Sequence, residues 1–253
     1  MTPRYWVSEQ EVERRVAPFW KARWFLGWRD VTDPRSSART VISTIIPRTA
    51  VSGKLPLILS RDPDCWVLVA NLSSFIFDYV ARQKIGGVSL SMFIMRQLPF
   101  LPAQLFEERY QWSSPRRVRD WIRFRVLELI YTSWDLKFFA NDLGWDAQPF
   151  KWNEDRRFLI RCELDAAFFH LYGVSREDAD YILDTFPIVK RKDEARFGEY
   201  RTKRVILEIY DEMERAKQTG VPYRTRLDPP PGDPRAAHAD SQQSLKGAPS
   251  DAV

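Results

Sequence analysis

The sequence predicts an α+β protein: a mixed α/β front half over residues 1–112, a helical C-terminal half over 113–220 and a disordered tail over 221–253. Three observations carry this reading. Runs rich in β-branched residues are concentrated between Arg39 and Asn71. Caps and helical apolar periodicity dominate after Pro115. Past Tyr223 no aromatic residue occurs, and too little apolar area remains to offset the entropy of ordering.

In chain order, Ser8-x-x-Glu11 is a capping box, and Val12, Val16, Phe19, Trp20 and Trp24 continue one apolar face. That predicts a helix from about Ser8 to Leu26, ending at Gly27. Asp33-Pro34 and Ser36-Ser37 make a loop. The run Arg39 to Ile46 stops at Pro47 and predicts a strand. After a Ser52-Gly53 turn, Leu57 to Leu59 predicts another. The apolar run Trp66 to Ala70, bounded by Pro63 and Asn71, suits a buried strand. Ser73 or Ser74 then caps a helix carrying Phe75, Ile76, Tyr79 and Val80, and Gly86-Gly87 ends it. Ser89 starts a second helix through Phe93, Ile94 and Leu98, with a stiff, extended exit from Leu98 to Pro102.

The region from Pro115 to Asp146 reads as helical, opening with Arg116, Arg117, Arg119, Arg123 and Arg125 around Val118, Trp121, Ile122 and Leu129. Gly144 stops it. Asn153 caps a long helix to Tyr172, Gly173 closes it, and Ser175-x-x-Asp178 opens the next. A final helix from about Asp193 to Lys217 ends at Gly220.

With 253 residues, 44% hydrophobic and 14% aromatic, the chain has enough apolar material for a real core. Its net charge of +5 permits a polyanionic partner without requiring one. Cys65 and Cys162 lie inside apolar runs and read as buried free thiols of a reducing compartment. With His170 and His238 the only histidines, a zinc site or a His-dependent triad has little to work with. The first ten residues lack an apolar signal region, and the longest uncharged stretch, Cys65 to Phe77, is too short to span a bilayer. The expectation is a cytoplasmic, soluble protein without a membrane partner.

The order strand, Asn71, helix, Gly86-Gly87, helix, Leu98-Pro99-x-Leu101-Pro102 extends over about 40 residues. It resembles the core of target-recognition domains in type I specificity subunits and type IIG adenine-specific DNA methyltransferases. Arg39-Thr40-Val41-Ile42 with Ile46-Pro47 looks like a strand upstream in those domains. Tyr131 to Leu136, Glu163 to Ala167 with Leu171-Tyr172-Gly173, Tyr181 to Leu183 and Thr185-Phe186-Pro187 form a second ordered series. That series is similar to the C-terminal region of large adenine-specific methyltransferases from restriction-modification and phage-defence systems. The resemblance covers roughly residues 5 to 230.

The catalytic half of such enzymes binds S-adenosylmethionine through a Gly-rich strand–loop–helix and holds a flipped adenine with an (Asn/Asp)-Pro-Pro-(Tyr/Phe) loop. Neither is found here; Asp228-Pro229-Pro230-Pro231 lacks the aromatic residue. The resemblance therefore implies a sequence-recognition part for double-stranded DNA, with no cofactor of its own and no methyl transfer by itself. A partner methyltransferase subunit would carry the S-adenosylmethionine. The alternatives are a protein–protein docking module of a defence complex and a truncated, inactive remnant.

If the chain reads DNA, Lys and Arg meet phosphates and a few polar side chains read base edges. The candidates are Arg39, Arg48, Lys54, Arg61, Lys84 and Ser89, with Gly86 and Gly87 letting a DNA backbone come close. Arg116 and Arg117 open a second possible phosphate face. Each has a plainer competing role: Gly86-Gly87 as a helix stop, the arginines as solvated or paired with acids such as Asp120 and Glu128. The Lys190-Arg191-Lys192 and Arg201–Arg204 clusters are likewise interspersed with acids. Glu163 and Asp165 read as a buried cap or inter-helix hydrogen bond, and His170 as a packed core residue.

Overall fold

The computed structural model describes residues 6–239 and is a mixed α+β fold. Helix α1 (Glu9–Val16) begins where Ser8 accepts a hydrogen bond from the backbone of Glu11. The apolar face expected to prolong it instead forms the central strand of an antiparallel sheet. That sheet comprises β1 (Trp24–Trp28), β2 (Ser43–Pro47) and β3 (Leu57–Ile58), in the order β2-β1-β3. Every residue of β1 is buried, and a strand covered on both faces shows no alternation to betray it. Gly27 does not stop a helix. It lies opposite Leu57, and a Cβ there would meet the Pro56 carbonyl oxygen at 3.0 Å.

The expected strand at Trp66–Ala70 is also corrected. Cys65–Val67 is a 3₁₀ turn that runs directly into α2 (Leu68–Leu72). A short buried apolar run has no periodicity that separates the two conformations. Ser74 caps α3 (Phe75–Lys84) by accepting from Phe77 N, as its position predicts. Gly86-Gly87 is not the left-handed stop: α3 ends on Ile85 in an extended conformation, and neither glycine has positive φ. The next helix, α4 (Met92–Met95), is capped by Ser91 and not by Ser89.

The helical stretch expected from Pro115 to Gly144 is two helices, α5 (Val118–Ile130) and α6 (Lys137–Asp142), with a 3₁₀ turn at Trp134–Leu136 between them. The pattern is followed closely by α7 (Glu154–Leu171) behind its Asn153 cap and by α8 (Arg176–Asp184) behind Ser175, and α10 (Arg201–Thr219) ends at Gly220 as expected. Between the last two lies α9 (Pro187–Phe197), separated from α10 by Gly198 at φ +73°. The single helix expected from Asp193 is therefore two. Among the described residues no helix is long and apolar enough to cross a membrane.

The boundary expected at residue 113 runs through one continuous hydrophobic core. Trp24 on β1 packs edge-on against Phe139 of α6, and its Nε1 donates to Asp142 at 2.8 Å. Asn71, fully buried, donates to the Tyr172 hydroxyl at 2.8 Å, which in turn donates to the Pro99 carbonyl at 2.7 Å. Phe75 N at the head of α3 donates to Asp165 of α7 at 2.7 Å.

Residues 221–239 correct the expectation of a disordered tail. Glu163 accepts from Tyr223 and Thr225, and Arg156 donates to the Pro229 and Pro230 carbonyls at 2.6 and 3.2 Å. Ala237 bridges to Phe150, and Leu227 is buried. A proline-rich strap orders here through partners supplied by α5 and α7, which its own composition cannot reveal. The remainder of that expected tail, 240–253, lies outside the described residues.

Candidate nucleic-acid interface

Asp30, just past β1, gathers the segment that follows α3. Its carboxylate accepts from Ser89 Oγ at 2.5 Å and from Lys54 Nζ at 3.0 Å. Those two bonds, the Ser89 one foremost, hold the carboxyl below its ordinary range. Backbone bonds from Asp30 N to Lys54 O, Leu90 N to Asp30 O and Thr32 N to Val88 O fasten the same three segments. Lys54 and Ser89, distant in sequence, are thus brought to one place. Ile85 is buried and Val88 and Ser89 are fastened to the body, but the two glycines between them are open: apart from their chain neighbours, no heavy atom lies within 4 Å of where a Cβ on Gly86 or Gly87 would stand. Lys84 is exposed, with no side-chain hydrogen bond or ion pair among the described residues.

The other expected contact residues are not part of that cluster. Arg39 turns inward, pairing with buried Asp78 at 3.3 Å, donating to the Ser73 carbonyl and lying 3.9 Å over the Phe75 ring. Arg48 pairs with Glu13 at 2.5 Å. Arg117 holds Asp120 at 2.9 Å and Glu107 at 3.0 Å. Arg61 and Arg116 are exposed and have no side-chain partner among the described residues.

The arginine run on α5 is not one cationic face. Arg119 reaches Asp64 at 2.5 Å and Glu107 at 2.7 Å, while Arg125 goes into the core to Glu163. Apart from Asp120, the acids that neutralise it, Asp64, Glu107 and Glu163, come from outside the helix, so inspection of the helix alone overstates its charge.

A second feature escaped the sequence reading. A cleft of about 820 Å³ opens between β2 and the α2–α3 junction on one side and α5, α7 and α9 on the other. Arg157, Arg161, Lys192 and Trp152 line it, together with Arg39 and Asp165. The i,i+4 spacing of Arg157 and Arg161 was a usable signal for a shared helix face. Lys192 and Trp152 reach the cleft only through the tertiary fold.

The buried titratable groups are tuned by burial. Asp165 is pushed up to about 6, against the opposing pull of Arg39 and the Phe75 N–H. His170 is driven down to about 4; it stacks on Tyr210 and hydrogen-bonds its carbonyl at 3.1 Å. Cys65 is pushed up to about 12, and Cys162 is raised well above the ordinary thiol range. Both thiols are free and buried, which leaves them poorly nucleophilic.

No protein-family model, curated protein or solved structure matches the chain.

Proposed function

We propose that this chain is the sequence-recognition part of an adenine-specific DNA methyltransferase system, working with a catalytic half outside these residues. That half binds S-adenosylmethionine and performs the chemistry. The setting is the cytoplasm, where such a system meets its DNA. The ordered motifs from Arg39 to Pro187 support the family reading. The observation that carries the DNA reading is the open Gly86-Gly87 turn beside exposed Lys84, held in place by the bond of Ser89 to Asp30. Two glycines without overlying atoms admit a phosphodiester backbone closely and Lys84 supplies an unpaired charge, while Lys54 and Ser89, both bonded to Asp30, hold the segment in place. Arg61 and Arg116 are further phosphate partners, since neither is spent on an internal acid.

Mobility shifts on a pool of duplex DNA test this. Affinity is expected to fall steeply with salt, because neutralised phosphates release counterions. Lys84→Glu is expected to weaken binding about tenfold or more, as reversal of a phosphate-contacting charge requires. Absence of a shift at low salt, or an unchanged affinity in Lys84→Glu, overturns the reading.

One observation favours docking onto a catalytic subunit as a second reading. Phe93 is 77% exposed and Met92 and Val88 are largely exposed, which places an apolar rim beside the same loop. Capture of a methyltransferase subunit by a chain without DNA affinity would select it.

A further inference from the structure

The cleft between β2 and α7 holds positive charge that the duplex-reading role does not use. Arg157 and Arg161 share one face of α7, and Lys192 joins them from α9. Neither Arg161 nor Lys192 has a hydrogen-bond or ion-pair partner among the described residues. Arg157 is only 9% exposed, and although its Nη1 donates to the Leu129 carbonyl at 3.0 Å, its Nε is buried with no partner. That N–H lies too deep for a ligand atom to reach, so the cations the cleft presents are Arg161 and Lys192. The carboxylate lining the cleft, Asp165, accepts from Phe75 N and is shared electrostatically with Arg39 and Arg161, which leaves Lys192 as the cation with no acid paired to it among the described residues. The head of α3 also opens here through Ser73 and Ser74, adding the partial positive charge of a helix N-terminus.

Much of the remaining wall is apolar, including Val41, Val69, Leu129 and Phe158. Trp152 is 61% exposed; the Arg157 guanidinium lies 3.7 Å over its ring, leaving the other face open. An inorganic anion would leave the apolar floor unused, and an apolar ligand would leave Lys192 and the exposed Arg161 guanidinium without a hydrogen-bond acceptor. A volume of about 820 Å³ suits a small organic ligand.

We propose that this cleft is a nucleotide-binding site. The phosphate sits on Arg161 and Lys192, and the base lies against the apolar wall and the open face of Trp152. The same chemistry is offered by a free nucleoside monophosphate and by one nucleotide of a strand. The site is separate from the loop after Lys84: the ten residues of α3 set the two about 15 Å apart. It does not rest on the duplex reading, and Lys84→Glu leaves it unchanged.

Titration calorimetry on the purified chain tests it with AMP, GMP, CMP and TMP, a single-stranded tetranucleotide, and inorganic phosphate. Arg161→Ala and Lys192→Ala are the variants, since both side chains are exposed and their removal leaves the core intact. The expected result is binding that each variant weakens about tenfold, the scale of a lost charge-assisted contact. Binding of the monophosphates identifies a free nucleotide as a source, and binding of the tetranucleotide alone identifies a strand. Three results overturn the proposal: inorganic phosphate binding as tightly as the nucleotides, affinities untouched by both variants, or no heat from any probe at millimolar concentration.

Discussion

Arg125 of α5 and Glu163 of α7 form an ion pair in the core, with Nε donating to one carboxylate oxygen at 2.7 Å and Nη2 standing 2.6 Å from the same oxygen. The other oxygen of Glu163 accepts from the Tyr223 hydroxyl at 2.9 Å, the Thr225 hydroxyl at 2.5 Å and Arg226 N at 3.3 Å. The guanidinium also lies 3.3 Å over the Trp121 ring. One buried carboxylate thus joins two helices and the strap that follows α10. Every lone pair that matters is taken, which is the condition under which a buried ion pair is tolerated.

Glu163→Ala is expected to destabilise the protein by about 3–5 kcal/mol, because Arg125 is left charged and unpaired in the interior. Urea unfolding measures the loss. Limited proteolysis should cut the 221–239 strap in the variant sooner than in the parent chain, since its anchor is gone. A variant of unchanged stability would show that the pair is dispensable.

Gly232 carries φ +78°, and a Cβ there would stand 2.8 Å from the Phe124 Cβ. Gly232→Ala combines an unfavourable backbone conformation with a clash, and is expected to cost about 2 kcal/mol or more. Thermal unfolding checks it. Retained stability would mean that the strap does not press on α5.

Asp165 makes the pH dependence of stability legible. Burial lifts its carboxyl from 3.8 to about 6, so between those values the folded chain binds more protons than the unfolded one. Stability from this group is therefore full below about pH 4 and declines as pH rises toward 6, by about 3 kcal/mol at the extreme. Asp165→Asn keeps an acceptor for Phe75 N and removes the titration. It is expected to match the parent near pH 4 and to exceed it at pH 7.5. Parallel unfolding curves for the two proteins across that range would contradict the argument.

Arg39 and Lys84 were equivalent candidates by residue type, and the fold separates them. Arg39→Ala removes partners of Asp78, Ser73 and Phe75 and is expected to cost about 1–3 kcal/mol of stability. Duplex affinity should stay within about twofold, as for a charge that contacts no phosphate. Lys84→Ala is expected to do the reverse, lowering duplex affinity and its salt dependence while leaving the unfolding midpoint unchanged. Paired unfolding and binding measurements on both variants check this.

The caps at Ser8, Ser74, Asn153 and Ser175 and the stops at Gly144, Gly173 and Gly220 were readable because a helix end is a local chemical problem. A side-chain oxygen or a permissive glycine solves it within four residues. Buried segments offered no such signal. Trp24–Trp28 and Trp66–Ala70 are apolar throughout, and neighbours remote in sequence decided that the first is a strand and the second helical.

By itself, the sequence determined the α+β class, the capped helices of the second half and the burial of both cysteines. Tertiary structure alone decided which cations are free. Asp78, Glu13, Asp30 and Glu163 meet Arg39, Arg48, Lys54 and Arg125 from other elements, and an ion pair between remote residues leaves no periodic trace. It also decided that the strap orders and that Trp152, Arg157, Arg161 and Lys192 share a cleft, because both depend on surfaces that exist only once α5, α7 and α9 have packed.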